Sequence, residues 1–381
     1  MISLRRTLII IVGLLAIPHF AFGQAKPDAT TDLFKPVGPV PTFKIAVDAD
    51  NLKLMAKDAR KYVRATIRVG DQSYADVGLH LKGAAGSWRE WGDKPGLTMN
   101  FNKFTNSQLF RTIDKLSLNN AAQDGSYMQE LLANELALAM GVPACRCTHA
   151  LVELNGRKAG LYVLKEGFDK TFLRRHFENP NGNLYDGGFL TDINGDLKLD
   201  SGIDNGRKDL KELVKACNEG DANKRYALME KLVDVDKFAS NAALQMITAD
   251  WDGYIRKPNN YRIYFDPKSG KAVVIPHGMD QMWQNPGEGL WHGWGGMIAR
   301  AIMDHPEGKK KVIAKLKELT EKHFTIEKMN KRIDELLPRA KVAMATVNKD
   351  WANGLEGEMK ALKERIKQRV DFLKVELPKL K

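Results

Sequence analysis

A chain of 381 residues with 43% hydrophobic residues can bury a sizeable core and has room for two or three domains. It carries a formal charge of +12 and no long low-complexity tract. Its lysines are spread over helical segments without an RNA- or DNA-binding signature, which argues against a nucleic-acid partner.

The first residues read as an export signal. Arg5 and Arg6 are followed by the apolar run TLIIIVGLLAI, which is broken by Pro18, and Ala21-Phe22-Gly23 offers small residues for cleavage before Gln24. That run is too short for a lasting membrane span, and no other stretch reaches spanning length. Without residues 1–23 the chain keeps 57 Lys and Arg against 47 Asp and Glu, or +10. The expectation is a secreted or periplasmic protein that meets anionic surfaces such as wall polymers, acidic glycans or acidic proteins.

Residues 24–41, with prolines at 27, 36, 39 and 41, read as a linker. FKIAVD then alternates like a strand, and Asp50 is placed to cap a short helix. YVRATIRVG and SYADVGLHLKG form an antiparallel pair across Gly70-Asp71-Gln72. A small-residue segment, GAAGSWREWGDKP, precedes two more strands, LTMNF and IDKLSLN. SYMQELLANELALAMG predicts a helix, capped by Ser126, with Met128, Leu131, Leu132, Leu136 and Ala139 at helical spacing. Asn155-Gly156 between two alternating runs predicts a hairpin.

The second half changes character. FDKTFLRRHF is helical, residues 178–206 are loop-rich, and helices return at about 207–218, 221–232 and 236–249. The hairpin YRIYF–DPKSG–KAVVIP follows, and from 294 onward the chain reads as helical. The expected organisation is a signal (1–23), a linker (24–41), a β-rich lobe (42–166) and a mainly helical lobe (167–381). This is an α+β, bilobal, protein-kinase-like fold.

The hairpin carries the chemistry. It can bring Asp252, Asn260 and Asp280 to one end, two carboxylates and an amide oxygen that suit Mg²⁺ or Mn²⁺. Protein kinases place such a trio around the bound phosphates. Asp252 would serve as base for an incoming hydroxyl, with Asn260 and Asp280 on the metal. Lys94 would neutralise nucleotide phosphates, with Lys82 as the other candidate. Glu135 would orient that lysine, with Glu130 as its competitor, and Glu166 falls at the junction of the lobes without a role.

His277 and His292 near Asp280 would make a hydrolase centre, but their spacing fits no ligand motif. Trp283, Trp291 and Trp294 can stack on a sugar or anchor a loop. DINGDLKLD resembles a Ca²⁺ loop without its glycine at position six or glutamate at position twelve. Cys145, Cys147 and Cys217 cannot all pair. One of the first two can bridge to Cys217, or all three serve as small buried hydrophobes.

Six ordered segments resemble the CotH kinase family, the spore-coat-protein-H-like atypical kinases. They are GLHLKG, the small-residue loop with its Lys-Pro, KLSLNNAAQDGSYMQELLANELALAMGVPA, ELNGRKAGLYVLKEGFDKTFL, WDGYIRKPNNYRIY and VVIPHGMDQMW. The resemblance runs from about residue 43 to at least 300. It implies ATP-dependent phosphorylation of a protein or cell-envelope acceptor, with Asp252, Asn260, Asp280 and Lys94 at the family's positions. The chain departs from the family's Pro-Trp-Asp-x-Asp motif, where it has His277-Gly278 in place of Trp-Asp. The alternative implied is a non-catalytic, pseudokinase-like scaffold.

Overall fold

The computed structural model describes residues 31–291 and 293–380. The segment read as an export signal, residues 24–30 of the linker, and His292 lie outside the described residues. What remains of the linker is docked. It contains a single helical turn, α1 (Thr31–Phe34), whose Leu33 is buried in the core of the strands that follow.

Seven strands close into a barrel: β1 (Thr42–Ala46), β2 (Val63–Val69), β3 (Gln72–Lys82), β4 (Gly96–Asn100), β5 (Lys115–Asn119), β6 (Cys147–Leu154) and β7 (Arg157–Glu166). Their order is β1-β2-β3-β4-β5-β7-β6, and a parallel β1–β6 pairing completes the ring. Period-two alternation fills the interior. Leu116, Leu118, Tyr162 and Leu164 point inward, to a core shared with Phe43 and Met99. The neighbouring positions face out, and among them Leu161 and Val163 join the core of the helical half.

The Asn155-Gly156 hairpin forms as expected. Both residues take positive φ (46° and 84°), and the Asn155 side chain exchanges two hydrogen bonds with the backbone of Val47.

Two helix starts differ from the sequence reading. Helix α2 (Ala49–Lys57) is capped by Asp48, whose carboxylate accepts from Asn51 N–H at 2.7 Å, and not by Asp50. Helix α3 begins at Gln129 and ends at Ala139, because Tyr127 sits at φ 58° and breaks any earlier turn. The buried Asp124, rather than Ser126, takes the Gln129 N–H at 2.9 Å.

The loop-rich stretch contains two strands after helix α4 (Lys170–His176): β8 (Leu184–Asp186) and β9 (Lys198–Ser201). At three and four residues, they are too short to show alternation. They extend the hairpin β10 (Tyr261–Asp266) and β11 (Lys271–Pro276) into a sheet ordered β11-β10-β8-β9. The second half is therefore not purely helical around one hairpin.

Helices α5 (Lys208–Cys217), α6 (Ala222–Leu232) and α7 (Val235–Ile247) surround this sheet. Every residue of α7 except Asp236 and Lys237 is buried, and Asn241 donates to Val274 O on β11. Helices α8 (Met297–Met303), α9 (Pro306–Lys322), α10 (Ile326–Ala345) and α11 (Lys349–Glu376) complete the chain. None of the described helices is long and apolar enough to cross a membrane.

Several weighed motifs turn out to be structural. Asp192 accepts from the Tyr254 hydroxyl (3.0 Å) and from Met297 N–H (2.7 Å), while Asp196 and Asp200 pair with Arg207 and Arg262. Those contacts consume the carboxylates of the calcium-like loop. Trp283 is fully buried and stacks on Phe324, and Trp291 packs edge-on against Trp294. The three cysteines are free thiols, so none bridges to Cys217.

Arg369 on α11 is fully buried and donates to the carbonyls of Met246, Ile247, Pro286 and Glu288. It satisfies the C-terminal carbonyls of α7 and fixes the segment that follows β11. Arg369→Met should lower unfolding stability by at least about 2 kcal/mol, since it leaves buried acceptors unpaired. A fall in the urea midpoint at unchanged slope would register this, and an unchanged midpoint would refute it.

Candidate active site

The outer face of the barrel meets the segment that follows β11. Burial leaves a row of polar groups there. On β7, Lys165 follows Leu161 and Val163 on the face covered by α3, so its ammonium emerges among apolar neighbours and is itself buried. It finds the buried Glu130 of α3 at 2.6 Å. Glu130 also accepts from the Asn119 side-chain amide at the end of β5, and the oxygen of that amide accepts from Lys82 at the end of β3. Three strand ends and one helix are thereby joined by a continuous chain of charge-assisted hydrogen bonds.

Charges are tightly balanced within this chain. Burial alone would raise the Glu130 pKa, but Lys165 and Lys82 outweigh it and hold the carboxyl below its usual range. Burial likewise works against the Lys165 charge, and Glu130 more than offsets that, keeping the ammonium above its ordinary value. Lys82 has weaker compensation: burial brings it down to about 8, against the pull of Glu130.

The second sheet contributes through the segment after β11. The Lys165 ammonium also donates to His277 Nδ1 at 3.1 Å. Burial, then the charges of Lys165, Arg262 and Lys82, hold the His277 imidazole well below its ordinary pKa, so it stays neutral and accepts. His277 N–H bonds to Asn260 O at 2.9 Å, which pins this segment to the start of β10. Asp280 comes three residues later. Its carboxyl is pushed up to about 6 by burial and then by Glu130, with Lys82 and Lys165 pulling the other way.

Asp252 sits in a turn built by the end of α7. The buried Asp250 carboxylate accepts from Asp252 N–H at 3.1 Å, and the Gln245 side-chain oxygen accepts from Ile255 N–H at 3.0 Å. Asp252 Oδ2 then accepts from two side-chain amides, Asn259 at 2.7 Å and Asn260 at 3.0 Å. Asn260 holds the left-handed conformation at φ 50°, which the paired asparagines tolerate at this tight entry into β10. Because its amide nitrogen is committed to Asp252, its oxygen turns toward Gly278. A Cβ at Gly278 would lie 2.8 Å from Asn260 Oδ1. Any side chain at Gly278 would press on that amide.

Three of the expected residues, Asp252, Asn260 and Asp280, thus fall on connected backbone at the β10–β11 end. Lys94 does not join them. Its ammonium turns toward Tyr127 Oη (2.6 Å) and over the Tyr127 and Tyr162 rings. Glu135 forms a forked pair with Arg332 of α10 and does not touch Lys94. Glu130 and Glu135 are five residues apart, about 140° around a helix of 3.6 residues per turn, so only one can face the barrel. Glu166 is buried between Arg146 and Arg175 and locks β7 to α4. Lys165 escaped the sequence reading altogether. Its signal was a lysine ending an apolar alternation on the face that a strong helix covers. His277 engages Lys165, and with His292 outside the described residues the two-histidine centre has no geometry.

Among the described residues, no group of three or more His, Cys, Asp or Glu side chains gathers as a metal cage. The donors present suit a sparser site. Mg²⁺ keeps several waters and takes one or two carboxylates together with substrate phosphates. The half-buried Asp280 carboxylate and the Asn260 amide oxygen beside Gly278 meet that need.

The sequence pattern described as CotH kinase protein matches residues 79–373, most of the chain. The protein belongs to the CotH kinase family. Its relatives include the inner spore coat protein H of Bacillus subtilis, 25% identical over 299 residues that cover 71% of this chain and 80% of that protein. Invasin CotH3 of Rhizopus delemar is 28% identical over 169 residues, 39% of this chain and 28% of that protein. Among solved structures, the Helicobacter pylori proinflammatory kinase CtkA aligns over 76% of this chain and 96% of its own, with 10% identity and a TM-score of 0.34.

Two measurements test the cluster. Lys165→Met should destabilise the fold by about 3–5 kcal/mol, because it strands the Glu130 charge in the interior. The paired change Lys165→Met with Glu130→Leu should recover much of that loss in chemical denaturation, and a double variant as weak as the sum of the singles would contradict it. For Asp280, whose folded pKa is raised, stability is full below the unfolded carboxyl pKa and falls as pH rises toward about 6. Asp280→Asn should therefore raise the melting temperature at pH 7.5 and change it little at pH 4. The same gain at both values would refute the assignment.

Proposed function

We infer that this CotH-family chain is an exported atypical kinase that moves the γ-phosphoryl of ATP to a hydroxyl on a protein or cell-envelope acceptor. One observation carries the reading: the buried Lys165–Glu130 pair is continuous, through His277, with the segment bearing Asp280 and, through Asn119, with Lys82 at the start of the small-residue loop. Phosphoryl transfer demands fixed charges and positioning more than covalent chemistry.

In this reading Lys82 and Lys165 face the donor phosphates, and Glu130 and Asn119 hold both ammonium groups in place. Lys82 passes directly into the tight turn at Gly83 (φ 120°), whose backbone packs against Ser87 and Trp88. Asp280 and the Asn260 amide oxygen would hold the divalent ion. When bound, Mg²⁺ or Mn²⁺ would neutralise the charge on the phosphate oxygens. Asp252, oriented by Asn259 and Asn260, takes the proton of the acceptor hydroxyl as the new O–P bond forms and the bond to the leaving ADP oxygen breaks. Lys94 and Glu135 have no part in this arrangement.

Export rests on the N-terminal pattern and agrees with a relative named as a spore coat protein. Gly278, in place of a carboxylate, favours a second reading, a scaffold that keeps the site without turnover.

The decisive assay is incubation of the mature protein with labelled ATP and Mn²⁺ or Mg²⁺. Label should enter the protein or an added acceptor, Asp280→Ala should abolish it, and Asp252→Asn should slow it by about 10²–10⁴-fold, as expected for loss of a general base. Activity should fall as pH drops through about 6, where Asp280 gains its proton. Equal labelling by wild type and Asp280→Ala would remove the catalytic assignment, and nucleotide binding without labelling would leave the scaffold.

A further inference from the structure

The barrel end at which β3 finishes and β4 starts has a cleft of about 600 Å³, between the segments around Lys94 and Asn120 and the first turns of α11. Four cations line it, and three are already engaged. Arg89 pairs with Asp93 at 3.5 Å, Arg157 donates to the carbonyls of Trp91 and Asp93, and Lys158 donates to Thr346 O. Lys94 is different. Its half-buried ammonium touches a neutral tyrosine hydroxyl and two aromatic faces, with no carboxylate of the described residues at ion-pair distance. A cation withdrawn from water without a counter-ion is costly, and such groups are normally paired.

Across the cleft stands Trp351, 58% exposed although it is a large aromatic. Trp351 and Lys94 converge. A carbon of each side chain lies 3.9 Å from the point a Cβ at Gly160 would occupy, and Gly160, at φ 108°, leaves that point open. Small residues, including Ala121, Ala122 and Gly354, line it, so a flat ring can enter. Asp350 lines it too, and Glu358 lays its carboxyl against Gly125. Their carboxylates accept hydrogen bonds from hydroxyl groups and repel a multiply charged anion.

These features select a ligand with one negative charge, a face that stacks on indole and several hydroxyl groups. We propose that this cleft binds a sugar acid of the uronic class, with its carboxylate on Lys94 and its ring on Trp351. None of Lys82, Lys165, Glu130 and Asp280 lines this cleft, although Asn120 directly follows Asn119 of that cluster.

The test is calorimetric titration of the full mature protein with galacturonate, which carries one carboxylate, and with its neutral counterpart galactose. The acid should bind at least tenfold more tightly than the neutral sugar. Lys94→Gln and the surface change Trp351→Ala should each weaken it at least tenfold, while Asp280→Ala should titrate like wild type. The proposal is overturned by no binding of galacturonate, by equal binding of the neutral sugar, by unchanged affinity in both cleft variants, or by displacement of the saccharide with tripolyphosphate.

Discussion

The ion pair between Lys165 and Glu130 is the contact on which the rest of the site depends. Both partners are almost wholly removed from water. Such a pair is seldom more stabilising than well-packed apolar side chains would be, because desolvation offsets the Coulomb attraction. What it adds is direction. It fixes α3 against β7, holds Asn119 and so Lys82 in register, and presents one ammonium proton to His277. The outer face of the barrel and the second sheet are connected through that single nitrogen.

Around this contact the chain gathers charge. Two ammonium groups face one committed carboxylate, Glu130, and one half-buried carboxylate, Asp280. With all four groups ionised these charges cancel, and one positive charge remains when Asp280 holds its proton. Asp280, raised toward neutrality by burial, completes its ionisation only near neutral pH, or when a cation or the lysines draw it out. Asp252 is held by other partners. Its Oδ2 accepts from two asparagine amides, its Oδ1 lies 3.5 Å from the Lys257 ammonium, and its turn is set by the end of α7.

The barrel presents different surfaces along β7. Near β7's C-terminus the charges are paired and enclosed. Near Gly160 they are tied to backbone carbonyls, except for Lys94, and an exposed indole stands beside them. Helix α11 serves both regions. Arg369, deep in it, caps α7 and holds the strand-following segment, while its first turns form the wall of the Lys94 cleft. Mechanical stability and ligand access are thus distributed along one 28-residue helix.

Local pattern determined a great deal. Alternation fixed the barrel strands, Asn155-Gly156 fixed their hairpin, and heptad-like spacing fixed α3 and the long C-terminal helices. The closeness of Asp252 and Asn260 was legible too, since they lie only eight positions apart through a turn, and the DPKSG turn imposes the register of the hairpin that follows. The order of six segments was enough to suggest the family. What only the tertiary structure decided was which lysine and which glutamate meet. Lys82, Lys94 and Lys165 are equivalent as residues, and Glu130 and Glu135 share one helix. The choice depends on barrel closure, which sets what lies outside each strand end, and on the rotation of α3 against that face. Short strands such as β8 and β9, and a helix start displaced by one positive φ, were likewise hidden, because partners distant in sequence stabilise them and local periodicity does not.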